Sequence, residues 1–425
     1  MTLNAPAASQ PNFDADVIIV GAGMAGMTLA LALVSGGLRP LLIDPQTFDA
    51  QLAPEYDGRS SAIAYSSFRL WKAIGVGEAL VAKAQNIEQI LVTDGRTPGA
   101  ANGAASPFFL RFDSAEIADR SDGEPLGYML ENRSIRAALA QAVMDADIPV
   151  LARATVVFAE ADGSAAAVTL SDGRVLRAPL VVGAEGRHSI IRQAAKIGTV
   201  GWDYSQSGVV ATVVMAKPHE GVAHEYFLPS GPFAILPLTG NRASLVWTEK
   251  TDRAEALRSA RPEVFEAHLR RRFGDFLGEI EVLGPRFVYP LALQLAENMA
   301  APRLVLMGDA AHGIHPIAGQ GLNLGLKDAA ALAEVLTDAV RLGEDIGSLV
   351  VLERYAAWRR FDNVMLAAAT DVFVRLFSND NPMLRFVRGA GMAVVNLIGP
   401  ARKFFMQEAG GAVGDLPKLL RGEPL

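Results

Sequence analysis

The chain has 425 residues, no cysteine and a formal net charge of −7. This length suits two or three domains or one large fold with insertions, and an apolar fraction of 50% supplies a sizeable core and excludes disorder over most of the chain. The lack of cysteine excludes disulfides, thiolate nucleophiles and cysteine-ligated metal sites, and the acidic charge argues against nucleic-acid binding. A mean hydropathy of +0.23 is high for a soluble protein and suggests contact with a membrane or an oily ligand.

The N-terminal residues are expected to form a loose arm. Residues 1–12 carry no basic side chain, whereas a secretory signal needs a basic start and an apolar stretch. Glycines interrupt the apolar stretch 17–34, and no run of about 20 uninterrupted apolar residues occurs. We therefore expect a cytoplasmic protein.

The first motif combines a strand, a glycine-rich loop, a helix and a second strand that ends in an acid. Its parts are Asp16–Val20, the glycines Gly21, Gly23 and Gly26, Met24–Val34, and Pro40–Ile43 followed by Asp44. The glycines permit a tight turn and close approach of the backbone to a pyrophosphate, and the helix start favours an anion. Asp44 is suitably placed to bind an adenosine ribose. The motif predicts dinucleotide binding rather than a ligand-free turn, and by itself it does not separate NAD from FAD.

The second motif follows a predicted strand at Leu304–Met307 and runs from Gly308 to Asn323 into a helix predicted over 324–342. Asp309, at the end of the strand, is well placed to hold a sugar or ribityl hydroxyl. The turn Gly319–Gly321 leaves backbone N–H groups free at a helix start, which favours developing negative charge. His312 and His315 have the spacing of a metal pair, but the favoured interpretation is loop histidines bonded to the backbone, and we expect no metal.

The third motif, Gly183-Ala184-Glu185-Gly186, comes at the end of a predicted strand and is followed by Ser189 and Arg192. A carboxylate in a tight glycine turn is suited to anchoring a dinucleotide a second time. The alternative is a plain strand turn with a helix cap.

In this order and spacing, the three motifs resemble the group A flavoprotein aromatic hydroxylases, and within them most closely the ubiquinone-biosynthesis hydroxylases. The match at Gly308–Asn323 is the most specific. Tyr56–Ala62 and Glu131–Leu139 resemble two further family segments, and the resemblance covers about residues 14–425. One departure is Glu185, where the family normally has aspartate, which bears on the use of NAD(P)H rather than on flavin binding.

The resemblance implies a role for individual residues. The pyrophosphate of non-covalent FAD would be held by the loop Gly21, Gly23, Met24, Ala25 and Gly26, the adenosine ribose by Asp44, and the charge of the pyrophosphate would be balanced by Arg59. FAD contacts are also implied for Asn132 and Arg136, a ribityl contact for Asp309, and positions along the isoalloxazine for Gly319, Gln320, Gly321, Leu322 and Asn323. Pro316 and His315 would lie on the substrate side. The catalytic residues stay unknown, because the flavin carries the chemistry.

The implied fold is α/β, with a Rossmann-like FAD-binding domain of the p-hydroxybenzoate hydroxylase type, an inserted, mainly antiparallel substrate sheet and a helical C-terminal segment. The FAD domain would be discontinuous, over 14–85, 130–198 and 296–375. The substrate domain would comprise 86–129 and 199–295. Its aromatic side chains are expected to face an oily substrate or to form plain core, namely Tyr226, Phe227, Phe233 and Trp247.

The C-terminal segment, 376–425, differs in charge from the rest. From residue 383 onwards it carries six basic and three acidic side chains between apolar stretches. Such helices lie on membranes or dock to partners, other ubiquinone-biosynthesis proteins or a second copy of the chain among them, and the pattern favours neither. The membrane alternative would place the protein peripherally on the inner face of the plasma membrane.

The implied activity is hydroxylation of the aromatic ring of a polyprenylated phenol in ubiquinone biosynthesis, with O2 and a reductant such as NAD(P)H. Two alternatives stay open: a flavin hydroxylase of a soluble aromatic metabolite, and a non-catalytic flavin-binding subunit of a biosynthetic complex.

Overall fold

The computed structural model describes residues 13–95, 109–116, 124–314, 319–377, 411 and 414–425. The strands in this part of the chain are β1 Val17–Val20, β2 Pro40–Asp44, β3 Ser60–Ala64, β4 Gln85–Ile87, β5 Gln89–Asp94, β6 Phe109–Asp113, β7 Gly127–Glu131, β8 Val150–Ala152, β9 Val156–Ala161, β10 Ala166–Leu170, β11 Val175–Ala178, β12 Leu180–Gly183, β13 Thr199–Met215, β14 Val222–Leu228, β15 Gly231–Leu238, β16 Arg242–Lys250, β17 Ile280–Ala296, β18 Ala300–Ala301, β19 Leu304–Leu306 and β20 His312–Gly313.

Helices connect and cover these strands. They are α1 Met24–Ser35, α2 Phe48–Gln51, α3 Tyr65–Ala73, α4 Gly77–Val81, α5 Asn132–Asp145, α6 Ile190–Ala194, α7 Thr251–Ser259, α8 Pro262–Phe273, α9 Gln320–Arg341, α10 Leu349–Phe377 and α11 Lys418–Arg421. Single 3-10 turns occur at Ser114–Glu116 and Gly308–Ala310.

A six-stranded sheet has the first glycine motif at its centre. Its strand order is β18-β19-β12-β1-β2-β8, and all pairs are parallel except β18 with β19. Every residue of β1 and β12 is buried, as expected for strands covered on both faces. The carboxyl ends of β1, β12 and β19 lie side by side, and these ends lead into the first, third and second motifs. The sheet therefore brings together three motifs that are far apart in the sequence.

An eight-stranded sheet forms the second large unit, in the order β20-β17-β13-β16-β15-β14-β5-β6. Its pairs are antiparallel except β14 with β5, which are parallel. Helices α7 and α8 cover one face, where Phe265, Leu269 and Phe273 pack with the strand residues Tyr226, Phe233 and Trp247 in a buried cluster. The uncovered face is available for a ligand.

Two three-stranded antiparallel sheets complete the architecture, in the orders β3-β7-β4 and β11-β10-β9. The largest apolar cluster surrounds the six-stranded sheet and includes α1 and α9, which pack against each other. The α/β class and the strands around the motifs agree with the sequence-based expectations. The proposed division into domains stays a prediction.

The C-terminal segment lies largely outside the described residues, because 378–410 and 412–413 are not described. Helix α10 ends at Phe377, and α11 is held near α9 by a hydrogen bond from the Lys418 backbone N–H to Glu334, 2.7 Å long. Within the described ranges, no helix has the length and hydropathy to cross a membrane.

Candidate active site

One cavity of about 1470 Å³ extends from the glycine loop to the uncovered face of the eight-stranded sheet. It exceeds the roughly 300–1,000 Å³ of a pocket for a single small ligand. All the predicted FAD contacts line it except Gly26, which lies beneath the loop, and Asn323, which is buried at the start of α9. Pro316 and His315 lie outside the described residues. The cavity has a polar half near the motifs and an apolar half against the sheet.

The glycine loop is shaped by backbone contacts. Gly21 has a φ of +109°, and a Cβ on it would lie 2.5 Å from the Ala184 carbonyl oxygen. A Cβ on Gly26 would lie 2.0 Å from the Gly21 carbonyl oxygen. A Cβ on Gly23 would meet nothing within 4 Å, so this glycine faces open space. Two of the glycines are thus required by the fold, and the third keeps room for a ligand at the start of α1.

Asp44 is tied to this loop. Its Oδ2 accepts a hydrogen bond of 2.8 Å from the Ala22 backbone N–H, and its Oδ1 accepts one of 2.8 Å from Gln46 N–H. Asp44 lines the cavity and keeps further lone pairs for a ligand hydroxyl. The acid at the end of β2 therefore fixes the loop and is also available to a ribose.

Asp57 is the centre of a charged network that sequence reasoning did not include among the site residues. It accepts hydrogen bonds from Arg59 Nε at 2.9 Å, Arg136 Nη2 at 2.5 Å, Asn132 Nδ2 at 3.0 Å and the Tyr289 hydroxyl at 3.2 Å. Although burial opposes ionisation, these donors and the Arg59 charge hold the pKa of Asp57 well below its usual range. Asp57 is therefore ionised at neutral pH and positions both arginines at the cavity wall.

Within this network, Asn132 and Arg136 have different capacity left for a ligand. The Asn132 amide also accepts a 2.6 Å hydrogen bond from Ser61 Oγ, so its side chain is bonded on both sides. The Nη1 atom of Arg136 is buried and has no hydrogen-bond partner. Such an orphaned donor indicates a missing acceptor. Arg136 is therefore the better placed of the two to bind an anionic ligand, while Arg59 lies over the Tyr289 ring, 4.6 Å from its centroid.

The second motif presents the start of a long helix to the cavity. Gly319, with a φ of +64°, precedes the 22 residues of α9, and a Cβ on Gly321 would meet nothing within 4 Å. Free N–H groups and the helix dipole make this end electropositive. Asn323 lies inside the protein: its Oδ1 accepts from Ala64 N–H at 2.9 Å and its Nδ2 donates to the Ala62 carbonyl at 2.8 Å. Asn323 thus fastens α9 to β3.

His312 is not bonded to the backbone, so the expectation of a backbone-bonded loop histidine is wrong for this residue. Its Nε2 is 2.5 Å from Asp328 Oδ2, and Arg359 Nε donates to Asp328 Oδ1 at 2.9 Å. All three side chains are buried, and although burial opposes ionisation, the two partners lower the pKa of Asp328 to about 2. Asp328 also accepts from Gly308 N–H at 3.0 Å, which anchors the second motif. Among the described residues, no three His, Cys, Asp or Glu side chains cluster to hold a metal.

Glu185 of the third motif caps a short helix. Its Oε1 accepts from Ser189 Oγ at 2.7 Å and from Ile191 N–H at 2.9 Å, while its buried Oε2 has no partner. Burial raises the pKa of this carboxyl. Arg192 donates to the Ala310 carbonyl at 2.8 Å and so joins this motif to the second one. The Ser189 and Arg192 side chains are thus bonded to protein rather than directed to a dinucleotide.

The apolar half of the cavity is formed by strands of the eight-stranded sheet. Its lining includes Ile90, Val92, Leu110, Phe112, Ala223, Phe227, Ala234, Leu236, Val210 and Val246. Of the four aromatic residues expected to face substrate or core, Phe227 lines the cavity, whereas Tyr226, Phe233 and Trp247 are core. Sequence reasoning missed Glu225 and Tyr289, which also line the cavity and belong to no motif.

The polar half fits FAD. Gly23 and Gly321 leave open space where side chains would otherwise project, and two helix starts direct N–H groups into it. The orphaned Nη1 of Arg136 supplies a donor for an anionic group. An open glycine backbone at a helix start suits a pyrophosphate, and a nearby cation adds to the attraction.

Comparison with known proteins agrees with this geometry. Residues 14–360 match the FAD binding domain family. The chain is 46% identical to the ubiquinone hydroxylase UbiL of Rhodospirillum rubrum, with 97% of this chain and 94% of that protein aligned. It is 34% identical to the 3-demethoxyubiquinol 3-hydroxylase of Escherichia coli, with 94% of this chain and 99% of that protein aligned. It is 32% identical to the human mitochondrial ubiquinone biosynthesis monooxygenase COQ6, with 92% of this chain and 91% of that protein aligned.

Among solved structures, the p-nitrophenol 4-monooxygenase PnpA of Pseudomonas putida superposes with a TM-score of 0.77 at 19% identity, covering 93% of this chain and 97% of that one. This likeness confirms the expected fold class. Together with the domain match and the three relatives, it confirms the resemblance inferred from the motifs, FAD as cofactor and oxidoreductase activity. The chain belongs to the family of FAD-dependent ubiquinone-biosynthesis hydroxylases.

Proposed function

We propose that this chain hydroxylates the aromatic ring of a polyprenylated phenol, a ubiquinone precursor, with O2 and with NAD(P)H as reductant. The observation that carries the proposal is a single cavity, in which a half that fits FAD continues into a half lined by aliphatic and aromatic side chains. A phenol ring with an apolar tail needs both a redox cofactor and an oily wall. The names of the three relatives support ubiquinone biosynthesis as the setting.

Residues of the chain bind and orient the reactants. The glycine loop would hold the pyrophosphate of FAD, Asp44 its ribose, and Arg59 and Arg136 would balance its negative charge. The start of α9 would stabilise negative charge on the ring system of the cofactor. When bound, FAD supplies the redox chemistry that activates dioxygen. The apolar strands exclude water, which strengthens these electrostatic contacts.

The test compares a prenylated phenol with the same phenol lacking its tail. Holoenzyme is supplied with NAD(P)H and isotopically labelled O2, and the labelled hydroxyl is measured by mass spectrometry. Because each buried CH2 contributes about 0.8 kcal/mol, kcat/KM should be at least about tenfold higher for the prenylated ring. Equal values would favour a soluble aromatic substrate, and a flavin that NAD(P)H never reduces would favour a non-catalytic subunit.

We further propose peripheral contact with a membrane, the source of such a substrate. Helix α10 carries apolar side chains that are more than half exposed, at spacings of one helix face: Phe361, Val364, Met365 and Val372. The basic excess of the C-terminal segment suits anionic lipid. Serine at these four positions should abolish co-sedimentation with anionic vesicles while the flavin content is retained. Unchanged sedimentation, with loss of a dimer instead, would assign this face to an oligomer.

A further inference from the structure

Glu225 lies in the middle of β14, on the strand face that lines the apolar half of the cavity. Side chains alternate along a strand, and Ala223 and Phe227, two residues to either side, line the same cavity. The rings of His224 and Tyr226 pack on the other side: Tyr226 belongs to the core under α8, and the His224 ring lies edge-on to Phe276 at 5.1 Å, although His224 also contributes to the cavity lining. The geometry therefore directs the Glu225 carboxyl toward the ligand space.

The neighbours of Glu225 across the sheet are apolar. In register it lies between Val92 of β5 and Ala234 of β15, and the same row continues through Val246 and Val210. All four of these residues line the cavity. Within the described part of the chain, Glu225 has no hydrogen-bond or ion-pair partner. Burial without compensation raises its pKa to about 8.

The charged groups that face this part of the cavity lie elsewhere. β15 carries no titratable residue, and β5 carries one, Asp94, in register with Phe227. One further titratable residue lining the cavity, His224, adjoins Glu225 in sequence, and burial lowers the pKa of its ring to about 4, so it is neutral at pH 7. The others surround the FAD-fitting half, namely Asp44, Tyr56, Arg59, Arg136, Glu185, Arg187, His188, Tyr289 and Asp309. A carboxyl in an apolar wall gains no donor from that wall when a ligand displaces water from the cavity, so it favours a ligand that donates a hydrogen bond.

The two halves of the cavity meet near Ala223, two residues along β14 from Glu225. Ala62 of β3 packs against the apolar cluster that contains Ala223, and it also adjoins Gly319 at the start of α9, where a Cβ on Gly319 would be 3.1 Å from that of Ala62. A ring lying along the wall between Ala62 and β14 would therefore have the cofactor site at one side and the Glu225 carboxyl at another.

We infer that Glu225 is a catalytic residue that binds the ring hydroxyl of the substrate and accepts its proton. The inference rests on the proposed function, since it requires a phenol. The phenol O–H bond breaks, an O–H bond forms on the carboxylate, and the electron pair stays on the phenolate oxygen, so no electrons leave either group. The phenolate ring is richer in electrons at its ortho and para carbons and more readily attacked by an electrophilic oxygen.

The environment suits this role. A general base works best when its pKa lies near the operating pH. A carboxyl with a pKa of about 8 also lies closer to the pKa of a phenol than the carboxyl of an exposed glutamate does. The transfer moves one negative charge from the carboxylate to the phenolate oxygen and creates no additional charge in the apolar wall. At neutral pH the group is mostly protonated, so its action as a base increases as the pH rises toward 8.

The kinetic test measures kcat/KM for a prenylated phenol between pH 6 and 9 in holoenzyme. Wild type should rise to a plateau with a midpoint near 8. Glu225→Gln should lower the plateau by about 10²–10⁴-fold and lose the rising limb, and Glu225→Asp should recover part of both. The control is Glu281→Gln, an exposed glutamate on β17 of the same sheet, which should match wild type.

A second measurement does not depend on turnover. Binding of the prenylated phenol and of its methyl ether is followed by quenching of flavin fluorescence. In wild type, the phenol should bind increasingly more tightly than the methyl ether as Glu225 ionises. In Glu225→Gln, the ratio of the two dissociation constants should be independent of pH. Flavin content and melting temperature should be retained in this variant, because Glu225 has no partner to lose.

The outcomes separate the two proposals. A wild-type protein that neither binds nor hydroxylates the prenylated phenol would overturn both the proposed function and the role of Glu225. A wild-type protein that hydroxylates it, beside a folded Glu225→Gln variant with the same pH profile and the same binding ratio, would overturn the role of Glu225 alone.

Discussion

Asp57 is the residue on which the charged wall of the cavity depends, because four side chains donate hydrogen bonds to its carboxylate. Its side chain is 3% exposed, whereas that of Arg59 is 49% exposed. We expect Asp57→Asn to lower the free energy of unfolding by about 3 kcal/mol, the low end for a broken buried ion pair, since Arg59 is partly hydrated. Denaturant unfolding measures this change. Asp172→Asn, in an exposed pair with Arg174, is the control and should have no detectable effect.

The same residue predicts how stability responds to acid. The folded-state pKa of Asp57 is lowered, so its contribution is present above its ordinary value of 3.8 and is lost as the pH falls toward the folded value. Wild type should therefore lose stability below about pH 4 more steeply than Asp57→Asn does. Parallel unfolding curves for the two proteins over this range would contradict the prediction.

Single residues of the site were predictable to the extent that they belong to motifs. Arg59 and Asp309 follow from short segments with a fixed order of residue types, and both line the cavity. Glu225 and Tyr289 lie on strands that read as ordinary sheet, and their position at the cavity depends on pairing with strands far away in the sequence. Spacing along the chain contains no signal for such a residue.

At the scale of elements, two glycines at the start of α1 have different roles: Gly23 leaves space for the ligand, and Gly26 is required by the fold. Serine at Gly23 has open space around its Cβ and is a favoured helix cap, so the apoprotein should keep its stability. Its side chain projects into the FAD space, and flavin affinity should fall at least about tenfold. Flavin titration and thermal unfolding of the apoprotein measure the two effects.

The matched variant is Gly26→Ser, whose Cβ would lie 2.0 Å from the Gly21 carbonyl oxygen. This variant should be destabilised in the absence of flavin. If instead Gly23→Ser bound flavin as wild type does, the loop would not hold the pyrophosphate.

A buried ion network links α9 and α10. Arg359 holds Asp328, which bonds His312 and the Gly308 backbone. Arg359→Met should lower the free energy of unfolding by about 3–5 kcal/mol, because a buried carboxylate loses its permanent cation. Denaturant unfolding measures this change, and Arg354→Met, in an exposed pair on the same helix, should leave stability unchanged. A small effect of Arg359→Met would mean that His312 alone neutralises Asp328.

Elements around the motifs were predictable because local patterns specify them: a β-branched run indicated β1, an apolar run indicated β19, and apolar periodicity indicated α9. The long-range pairing of strands was not predictable. The parallel pair of β5 with β14 joins strands more than a hundred residues apart, and no periodicity within either strand indicates it. The His312 partner was missed for the same reason, since Asp328 lies on the buried face of a helix that appeared only amphipathic.

At the scale of the whole molecule, the sequence lacks a cysteine through which flavin could be attached. We expect acid precipitation of the purified protein to leave all the flavin in the supernatant, with the absorbance of free FAD, because helix starts, arginines and backbone N–H groups hold it by non-covalent contacts alone. Flavin that stays with the pellet through repeated washing would contradict this expectation and would indicate a covalent link through another side chain.

The adjacency of β1, β12 and β19 has a consequence for synthesis. The glycine loop leaves the ribosome before the strand and helix that complete the FAD site, which come nearly 300 residues later. Until α9 has emerged, the apolar face of α1 has no cover, and contacts of such sequence separation form slowly. The complete flavin site thus exists only after α9 has emerged, and retention of flavin reports that these distant segments of the chain have met.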